Sequence, residues 1–257
     1  MKTTKVLVAG FTGAMGRKVL NLIDRMSNFE VSAVYSPTAT SENPADYGLA
    51  GSVRVFTRLT EIQTDATIWI DFTVPGAVAE NVSFALNHGM YPVVGTTGMP
   101  EAARQQLITR AAELHRGGII APNFGLSAVL LMKFAAIAAQ YFPDAEVVEM
   151  HHADKRDAPS GTAIATARAI AAARKQHPNV QAENLAARGA SYDGVPVHAV
   201  RLPGYVAHEQ VLFGAPGEAL TIRQDSFDRE SFMAGVRIAL QKVTALDHMV
   251  VGLENLL

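Results

Sequence analysis

The stretch Val6–Val19, VLVAGFTGAMGRKV, places three glycines between a short apolar run and a helical pattern. In a strand–turn–helix unit that binds a dinucleotide, Gly10 would permit the tight turn and Gly13 would let the backbone approach a pyrophosphate. Gly16 would let the helix pack closely on the strand, and the helix start would offer N–H groups to phosphate. The spacing is G-x-x-G-x-x-G rather than the commoner G-x-G-x-x-G, so an ordinary turn is the alternative.

The first half of the chain alternates β-like runs with helical patterns, which predicts an open α/β sheet of the Rossmann type. Apolar runs predict the strands Lys5–Ala9, Val31–Tyr35, Thr67–Phe72, Tyr91–Val94 and Gly118–Ala121. Helical spacing predicts the helices Gly16–Arg25, Ala77–Asn87 and Glu101–Glu113. The glycine triplet follows the first strand of this series, which favours a dinucleotide-binding loop over an ordinary turn.

After Asn123 the pattern becomes that of an α+β domain with a mostly antiparallel or mixed sheet. A long apolar helix is predicted at Leu126–Tyr141, a strand at Glu146–Met150 and a helix at Gly161–Lys175. Pro-Gly turns then separate three predicted meander strands, Val197–Leu202, Gln210–Phe213 and Ala219–Arg223. The last predicted helix is Arg229–Leu246.

The composition is that of a folded protein without a general affinity for nucleic acid or lipid. Apolar residues make up 49% of the 257 residues, and the net charge is −2. The chain has no cysteine, which excludes thiolate chemistry and fits a reducing cytoplasm. The apolar run after Met1 is not expected to be a secretion signal, because glycines interrupt it and Arg17 and Lys18 follow. We therefore expect a cytoplasmic protein.

Other candidate cofactor residues follow predicted strands of the first sheet, at the edge where open α/β sheets bind ligands. Gly95–Gly98, GTTG, follows one strand, and Ala121–Phe124, APNF, follows another. Asp71 also ends a strand, although it could serve only as a cap. The acid that usually binds a ribose 2′-OH is absent after the second strand, where Ser36 stands instead. Without a carboxylate at this position, nothing there repels a 2′-phosphate, and Arg17 or a hydroxyl group could bind one. The sequence therefore favours NADPH over NADH.

The segment Glu149–Ala163, EMHHADKRDAPSGTA, concentrates titratable and cationic side chains before a predicted helix. If the preceding strand continues into the histidines, His151 and His152 face opposite sides and cannot share one role. A histidine suits a general acid near neutral pH, while Lys155 and the first helical amides suit a carboxylate. The segment therefore predicts a site for a small, multiply anionic substrate. Metal binding is not expected, because adjacent histidines on a strand diverge.

The chain resembles the dihydrodipicolinate reductase family, the 4-hydroxy-tetrahydrodipicolinate reductases of bacterial and plant lysine synthesis. The matching motifs are VAGFTGAMGR from Val8, IDFT from Ile70, GTTG from Gly95, APNFG from Ala121 and EMHHADKRDAPSGTA from Glu149. The last motif is the most specific, and the likeness spans nearly the full length. The resemblance implies an enzyme that uses NADPH or NADH to reduce a cyclic imino dicarboxylate, 4-hydroxy-tetrahydrodipicolinate, to tetrahydrodipicolinate in the diaminopimelate route of lysine biosynthesis.

The resemblance also implies roles for individual residues. It makes His151 the proton donor and acceptor and Lys155 a second proton donor. It assigns the substrate carboxylates to His152, Gly161 and Thr162. The implied cofactor residues are Gly10, Phe11, Thr12, Gly13, Ala14, Met15, Gly95, Thr96, Thr97, Ala121, Pro122, Asn123 and Phe124. Ser36, where many members of the family have an acid, is a further candidate from the argument on the second strand. No resident metal is implied.

The same resemblance implies two domains and a homotetramer assembled through the sheet of the second domain. Residues 1–122 and 230–257 would bind the dinucleotide, and residues 123–229 would bind substrate and neighbouring subunits. The chain departs from the family in reading His208-Glu209 where members often have Glu-His or Asp-His. It also reads Gln224-Asp225 where many have histidine and a basic residue, so contacts or packing are expected to differ there.

Other functions stay open on sequence grounds. A different NADP-dependent reductase of amino or imino dicarboxylates would keep the glycine loop but would not need the HH-x-x-K and SGT motifs. A non-enzymatic dinucleotide sensor would bind the cofactor without oxidising it. A bifunctional or regulatory relative would need an extra domain, which the sequence pattern does not indicate.

Overall fold

The structure, a computed structural model, describes residues 3–176, Pro178 and residues 186–257. The chain divides into a first unit, Met1–Phe124 with Phe232–Leu257, and a second unit, Gly125–Ser231. Each junction lies two residues beyond the one expected from the sequence. No helix in these described ranges is long and apolar enough to cross a bilayer.

The helices and strands of the described residues follow one another in two groups. The α-helices are α1 (Ala14–Asp24), α2 (Val78–Asn87), α3 (Glu101–Glu113), α4 (Leu126–Ala138), α5 (Gly161–Ala173) and α6 (Met233–Lys242). The strands are β1 (Thr4–Ala9), β2 (Phe29–Tyr35), β3 (Arg54–Phe56), β4 (Ile68–Asp71), β5 (Tyr91–Val94), β6 (Gly118–Ile120), β7 (Asp144–His151), β8 (Ala190–Tyr192), β9 (Val195–Arg201), β10 (Ala207–Ala215), β11 (Glu218–Ser226) and β12 (Met249–Val251). Short 3₁₀ turns occupy Pro44–Tyr47, Leu59–Glu61, Ala186–Arg188, Arg229–Phe232, Val243–Ala245 and Leu253–Leu256.

A parallel sheet in the order β12-β6-β5-β4-β1-β2-β3 forms the centre of the first unit. Its middle strands are buried and mostly apolar, which is the pattern of a sheet covered on both faces. In β4, which is buried along its whole length, only the last residue, Asp71, is charged. The strands predicted for this sheet and its Rossmann-type architecture are confirmed. The strands β3 and β12 were not predicted, because three residues are too few to establish a periodicity.

The C-terminal segment returns to the first unit and adds β12 beside β6. The prediction of one helix over Arg229–Leu246 is wrong at both ends, since α6 is flanked by 3₁₀ turns. Gly235 allows α6 to pack closely against the backbone of Phe124. A Cβ on this residue would lie 2.1 Å from the carbonyl oxygen of Phe124, so only glycine allows the approach.

The second unit has a mixed sheet in the order β11-β10-β7-β9-β8, as the fold class predicted. The prediction of a simple meander is wrong, because β9 pairs with β7 in parallel and β10 pairs with the other edge of β7. Only β10 and β11 form the expected hairpin. Turn residues indicate that the chain reverses, but they do not indicate which strand it then pairs with.

Alternation along these strands gives the second sheet two different faces. The buried face packs on α4 and α5 through Val147, Val197, Val211 and Phe213, together with Leu131 and Ile170. The residues between them form what we call the open face: Glu146, Val148, His198, Val200, Gln210, Leu212, Thr221 and Arg223. In the described part of the second unit, both helices lie on the buried side, and the open face is half-exposed.

Candidate active site

Two close contacts exclude any residue larger than glycine at positions 10 and 16 of the glycine loop. Gly10 has a φ of +80°, and a Cβ on it would lie 2.3 Å from the carbonyl oxygen of Phe72. A Cβ on Gly16 would lie 2.2 Å from the carbonyl oxygen of Gly10. The first contact seats the loop against the end of β4, and the second seats α1 against the loop.

The N-terminus of α1 is shaped to accept an anion. The helix begins at Ala14, two residues before the predicted start, and Gly13 is its N-cap in an extended conformation. No side chain caps the leading amides and the first turn has no acidic residue. The first intrahelical bond runs from Arg17 N to Gly13 O at 3.0 Å. The amides of this turn and the positive end of the helix dipole therefore fit a phosphate.

Three hydroxyl groups, those of Thr12, Ser36 and Thr38, meet beside this loop and form what we call the hydroxyl cluster. Ser36 Oγ lies 3.1 Å from Thr12 Oγ1 and 3.0 Å from Thr38 Oγ1. A cavity of about 360 Å³ adjoins Thr12, with Arg17 and Asp46 among its lining residues. The cluster can hydrogen-bond a ribose hydroxyl or a phosphate, and it carries no charge of its own.

The predicted cofactor residues of the loop differ in what they expose. Phe11 turns its side chain inward, where it is 2% exposed and meets Tyr47 edge-on at 4.9 Å. Only its backbone is therefore suited to a ligand. Gly13 and Ala14 are exposed, and Met15 is half-buried.

Asp71 organises the ends of β4 and β5, although the sequence suggested only a cap. Its carboxyl group is fully buried and accepts hydrogen bonds from Trp69 Nε1 at 3.1 Å and Asn81 Nδ2 at 3.0 Å. The Thr73 amide and hydroxyl donate to Oδ1 at 3.1 and 2.6 Å, and the Thr96 hydroxyl does so at 2.7 Å. Asp71 thus fixes Thr96 in the GTTG loop.

The remaining predicted cofactor residues lie where β5 and β6 end, at the same edge of the parallel sheet as the glycine loop. A Cβ on Gly95 would lie 2.1 Å from the Phe72 ring, which also meets the Phe124 ring at a centroid distance of 5.8 Å. Thr97 and Pro122 are exposed. The others are half-buried or buried: Asn123, Ala121 and Phe124.

In the second unit, a buried carboxylate holds the first histidine of the HH pair. Glu149 accepts two hydrogen bonds from Arg201 at 2.7 Å, one from the Ser160 amide at 3.0 Å, and contacts His151 Nδ1 at 2.6 Å. Burial alone would raise the pKa of Glu149, but these contacts outweigh it and lower that pKa to about 2. His151 ends β7 and keeps 14% of its side chain exposed. Its Nε2 is the nitrogen left for a ligand.

The other residues of the motif lie in the loop after β7. His152 is about half exposed and contacts Asp154 through Nδ1 at 2.6 Å. Lys155 donates to both carboxylate oxygens of Asp157 at 2.7 and 2.8 Å, and this contact lowers the pKa of Asp157. Because β7 ends at His151, His152 lies outside the strand, and the expected alternation between opposite faces of a strand does not extend to it.

The loop ends at α5, whose start is predicted to bind a substrate carboxylate. Ser160 is the N-cap, and its hydroxyl accepts from the Ala163 amide at 3.2 Å. A Cβ on Gly161 would meet no heavy atom within 4 Å, so there is space around this residue. Gly161 and Thr162 are the first two residues of the helix, where amides and the dipole favour an anion.

Sequence reasoning did not assign a role to Glu209, which lies directly across from Glu149 in the β7–β10 pairing. Its side chain is almost fully buried, and its Oε1 has no hydrogen-bond partner among the described residues. Burial raises the pKa of Glu209 to about 7, against a hydrogen bond with Thr166, and the charge on Glu149 adds to the rise. The signal was present in the sequence as a departure from the family pattern.

The two departures from the family pattern pair with each other across β10 and β11. Glu209 lies opposite Gln224, and His208 lies opposite Asp225. His208 Nδ1 contacts Asp225 Oδ1 at 2.7 Å, while Gln224 Oε1 accepts from Ser127 Oγ at 3.1 Å. Across the described residues, no group of three or more His, Asp or Glu side chains is arranged to hold a metal ion.

A parallel sheet whose first turn is a glycine loop opening an uncapped helix defines a dinucleotide-binding protein of the Rossmann type. Residues 4–124 match the family model for the N-terminus of dihydrodipicolinate reductase, and residues 127–257 match the model for its C-terminus. The chain belongs to the dihydrodipicolinate reductase family, a family of NAD(P)H-dependent oxidoreductases.

Relatives match along the whole chain. The 4-hydroxy-tetrahydrodipicolinate reductase of Lactobacillus helveticus is 60% identical, with 99% of both chains covered. That of Streptococcus mutans is 48% identical, with 98% of this chain and 99% of the relative covered. The solved structure of dipicolinate-bound dihydrodipicolinate reductase from Paenisporosarcina sp. TG-14 has a TM-score of 0.87 at 41% identity, covering 99% of this chain and 100% of that one. An apo scyllo-inositol dehydrogenase from Lactobacillus casei shares the fold alone, with a TM-score of 0.66 at 12% identity, covering 99% and 92%.

The buried Glu209 should make stability depend on pH. Its pKa rises from 4.5 to about 7 on folding, so the unfolded chain loses this proton first and stability falls as pH rises through that window. Glu209→Gln cannot ionise. Between pH 5 and pH 8 the unfolding free energy of the variant should therefore gain about 2–3 kcal/mol relative to that of the parent.

Urea unfolding at the two pH values measures this difference. Glu218→Gln, at an exposed position on β11, is the matched control and should follow the parent. A Glu209→Gln variant that loses as much stability as the parent over this range would show that Glu209 is already ionised in the folded protein.

Proposed function

We propose that the chain reduces 4-hydroxy-tetrahydrodipicolinate to tetrahydrodipicolinate with NADPH or NADH, in the diaminopimelate route of lysine biosynthesis. The observation that carries the chemistry is the contact of buried Glu149 with His151 next to the start of α5. It combines a proton-transferring group with a place for a carboxylate. The names of the relatives that match over the whole chain support the same substrate.

The proposed cofactor residues all belong to the first unit. The pyrophosphate would be held by the backbone of Gly10–Met15, and a ribose by the hydroxyl cluster. The nicotinamide would be held by the loops Gly95–Thr97 and Ala121–Phe124. These segments fit the group, because Gly10 and Gly16 leave no space for side chains and the start of α1 carries no competing acid. When bound, the reduced nicotinamide supplies a hydride to the substrate.

The proposed substrate residues all belong to the second unit. The amides of Gly161 and Thr162, with His152, would hold the two carboxylates, and Lys155 would add positive charge and a second proton. Lys155 is held by Asp157 in this structure, so binding requires the substrate to compete with that carboxylate. The related protein from Paenisporosarcina binds dipicolinate, a ring with two carboxylates, which supports a diacid ligand.

His151 is the proposed proton donor. Nδ1 is engaged by Glu149, so Nε2 is the atom that would deliver the proton to the ring carbon next to the one that receives hydride. The carboxylate–imidazole contact keeps the ring in one orientation. The amides at the start of α5 would favour negative charge as it develops on the substrate.

Replacing the proton donor should mainly lower turnover. His151→Gln keeps a polar side chain but cannot carry a transferable proton, so kcat should fall by about 100-fold or more. The assay generates the substrate from pyruvate and aspartate semialdehyde with the upstream synthase and follows the absorbance of NADPH and NADH separately.

The control for this variant is His248→Gln. Like His151, His248 contacts a carboxylate through Nδ1 at 2.6 Å, here that of Asp247. It is exposed, however, and lies in the first unit. An unchanged kcat in His151→Gln would remove His151 from the mechanism. A parent chain that binds NADPH but oxidises it with no imino diacid would instead be a dinucleotide sensor.

The hydroxyl cluster supports a preference for NADPH. Ser36 stands at the end of β2, where a carboxylate would bind a ribose 2′-OH and repel a 2′-phosphate. Its neighbours Thr12 and Thr38 offer further hydroxyl groups, and Arg17 lines the adjoining cavity. Asp46 lines the same cavity, so the preference is expected to be moderate.

A carboxylate in the hydroxyl cluster should reverse this preference. Ser36→Asp should raise the KM for NADPH about tenfold through like-charge repulsion, with little change in the KM for NADH. Ser36→Ala separates the loss of the hydroxyl from the gain of charge. Thr38→Asp repeats the test at an exposed position in case the buried aspartate impairs folding. Equal KM changes for both cofactors would place the 2′-position of the ribose elsewhere.

The open face of the second sheet is the proposed contact between subunits of a homotetramer. Val148, Val200 and Leu212 give this face apolar side chains, and Glu146 and Arg223 lie among them on β7 and β11. An antiparallel sheet can also leave one face in water, so assembly has to be measured. The cysteine-free composition further supports a cytoplasmic location.

A charge in place of an apolar side chain on the open face should disrupt assembly. Leu212→Glu should shift the chain from a tetramer to a smaller species in light scattering after gel filtration, because the carboxylate would be buried. Leu220→Glu is the matched control, since both leucines are 38% exposed but face opposite sides of the sheet. A parent chain that is monomeric, or a tetramer indifferent to Leu212→Glu, would contradict the proposed interface.

A further inference from the structure

We propose that Glu149 is a positioning residue, which fixes His151 with a proton on Nδ1 and keeps Nε2 free to act on the substrate. This inference rests on the proposed function of His151. Glu149 itself touches neither substrate nor cofactor in the proposal. It acts through the histidine, and it is held for that purpose by Arg201 and the Ser160 amide.

The contact with His151 determines which ring nitrogen is available. Glu149 Oε2 lies 2.6 Å from His151 Nδ1, and a carboxylate at that distance requires the N–H to be on Nδ1. In the neutral ring Nε2 is then an unprotonated acceptor. In the protonated ring Nε2 carries the proton that can be transferred.

Glu149 cannot turn away from the histidine, because both of its oxygens are engaged. Arg201 donates one hydrogen bond to each oxygen, and the Ser160 amide donates a further one to Oε1. Arg201 is anchored in its turn by the carbonyl oxygens of Val200 and Asp157, both at 2.7 Å. The carboxylate is therefore fixed by a strand, β9, and by the loop that leads into α5.

The ionisable groups on the elements next to Glu149 are consistent with a negatively charged Glu149 as the partner of His151. Arg201 on β9 is its counter-ion, and Glu209 on β10 carries a proton below about pH 7. Asp157 in the following loop is engaged by Lys155. Two neighbours of Glu209 are neutral: Thr166 on α5 hydrogen-bonds with it, and Gln224 lies opposite it on β11.

A negative charge at this position favours the protonated ring. When the imidazolium gives its Nε2 proton to the substrate carbon, the neutral ring keeps its Nδ1–H bond to Glu149, so no second proton has to move. Glu149→Gln removes this stabilisation of the protonated ring. Activity should then fail at a lower pH on the alkaline side of the profile.

The test compares the pH dependence of kcat/KM in the full chain. Glu149→Gln should lower kcat by roughly tenfold or more and move the alkaline decline by about one pH unit to lower pH. The KM for NADPH should not change. Arg201→Lys retains both charges but not the two-bond contact, so it should lower kcat while leaving the alkaline decline in place.

Asp247→Asn is the control variant, because it removes an exposed carboxylate that contacts a histidine at the same 2.6 Å distance. It should behave as the parent does in every measurement. A Glu149→Gln variant with reduced kcat but an unshifted alkaline decline would mean that Glu149 only supports the fold, and would overturn the proposal.

A measurement without turnover separates this proposal from the proposed function. The ¹⁵N shifts of the His151 ring in the unmodified protein report which nitrogen is protonated in the neutral state. A proton on Nδ1 supports positioning by Glu149 even if no imino diacid is reduced, whereas a proton on Nε2 refutes it even if the reductase activity is confirmed. This readout also holds if Glu149→Gln does not fold.

Discussion

The pairing of buried Glu149 with Arg201 is the constraint on which the proposed catalytic geometry of the second unit depends. A carboxylate without solvent is costly, by several kcal/mol per ion, unless its hydrogen bonds and counter-ion are well placed. Glu149 meets that condition with a two-bond contact to Arg201 and a bond from the Ser160 amide. These contacts tie β7 to β9 and to the start of α5. The position of His151 relative to the helix is therefore set by electrostatics as well as by packing.

The first unit also contains a buried carboxyl group, and its hydrogen-bond donors are neutral. Asp71 is as deeply buried as Glu149, but the hydrogen bonds that it accepts come from an indole, an amide side chain, a backbone amide and hydroxyl groups. Both carboxyl groups lie near the end of a strand, and both hold the loop that carries proposed ligand residues. Glu149 instead has a cation, Arg201, which helps to keep its carboxyl group ionised as the partner of His151. Asp71 has only to hold Thr96 and the GTTG loop in place.

Features that depend on neighbouring residues could be predicted from the sequence, and features that depend on strand pairing could not. The glycine loop was predictable because a tight turn at Gly10 followed by a helix is a local event, although the helix begins at Ala14 and not at the predicted Gly16. The position of His151, after a strand and before the helix that starts at Gly161, was predictable for the same reason. Arg201 was not, because it stands 52 residues from Glu149 and meets it only through the parallel pairing of β7 with β9. The prediction of a meander was wrong because of the same parallel pairing.

Strand register also explains why two acids share one buried region without destabilising the site. The antiparallel pairing of β7 with β10 sets Glu209 directly opposite Glu149, and Arg201 uses both of its terminal nitrogens on Glu149. Only one of the two carboxyl groups therefore has a cation. Repulsion across the pair and burial keep the proton on Glu209, and that proton limits the negative charge that opposes Glu149. The ionisation of Glu149, which holds His151, thus depends on Arg201, a residue of a strand far away in the sequence.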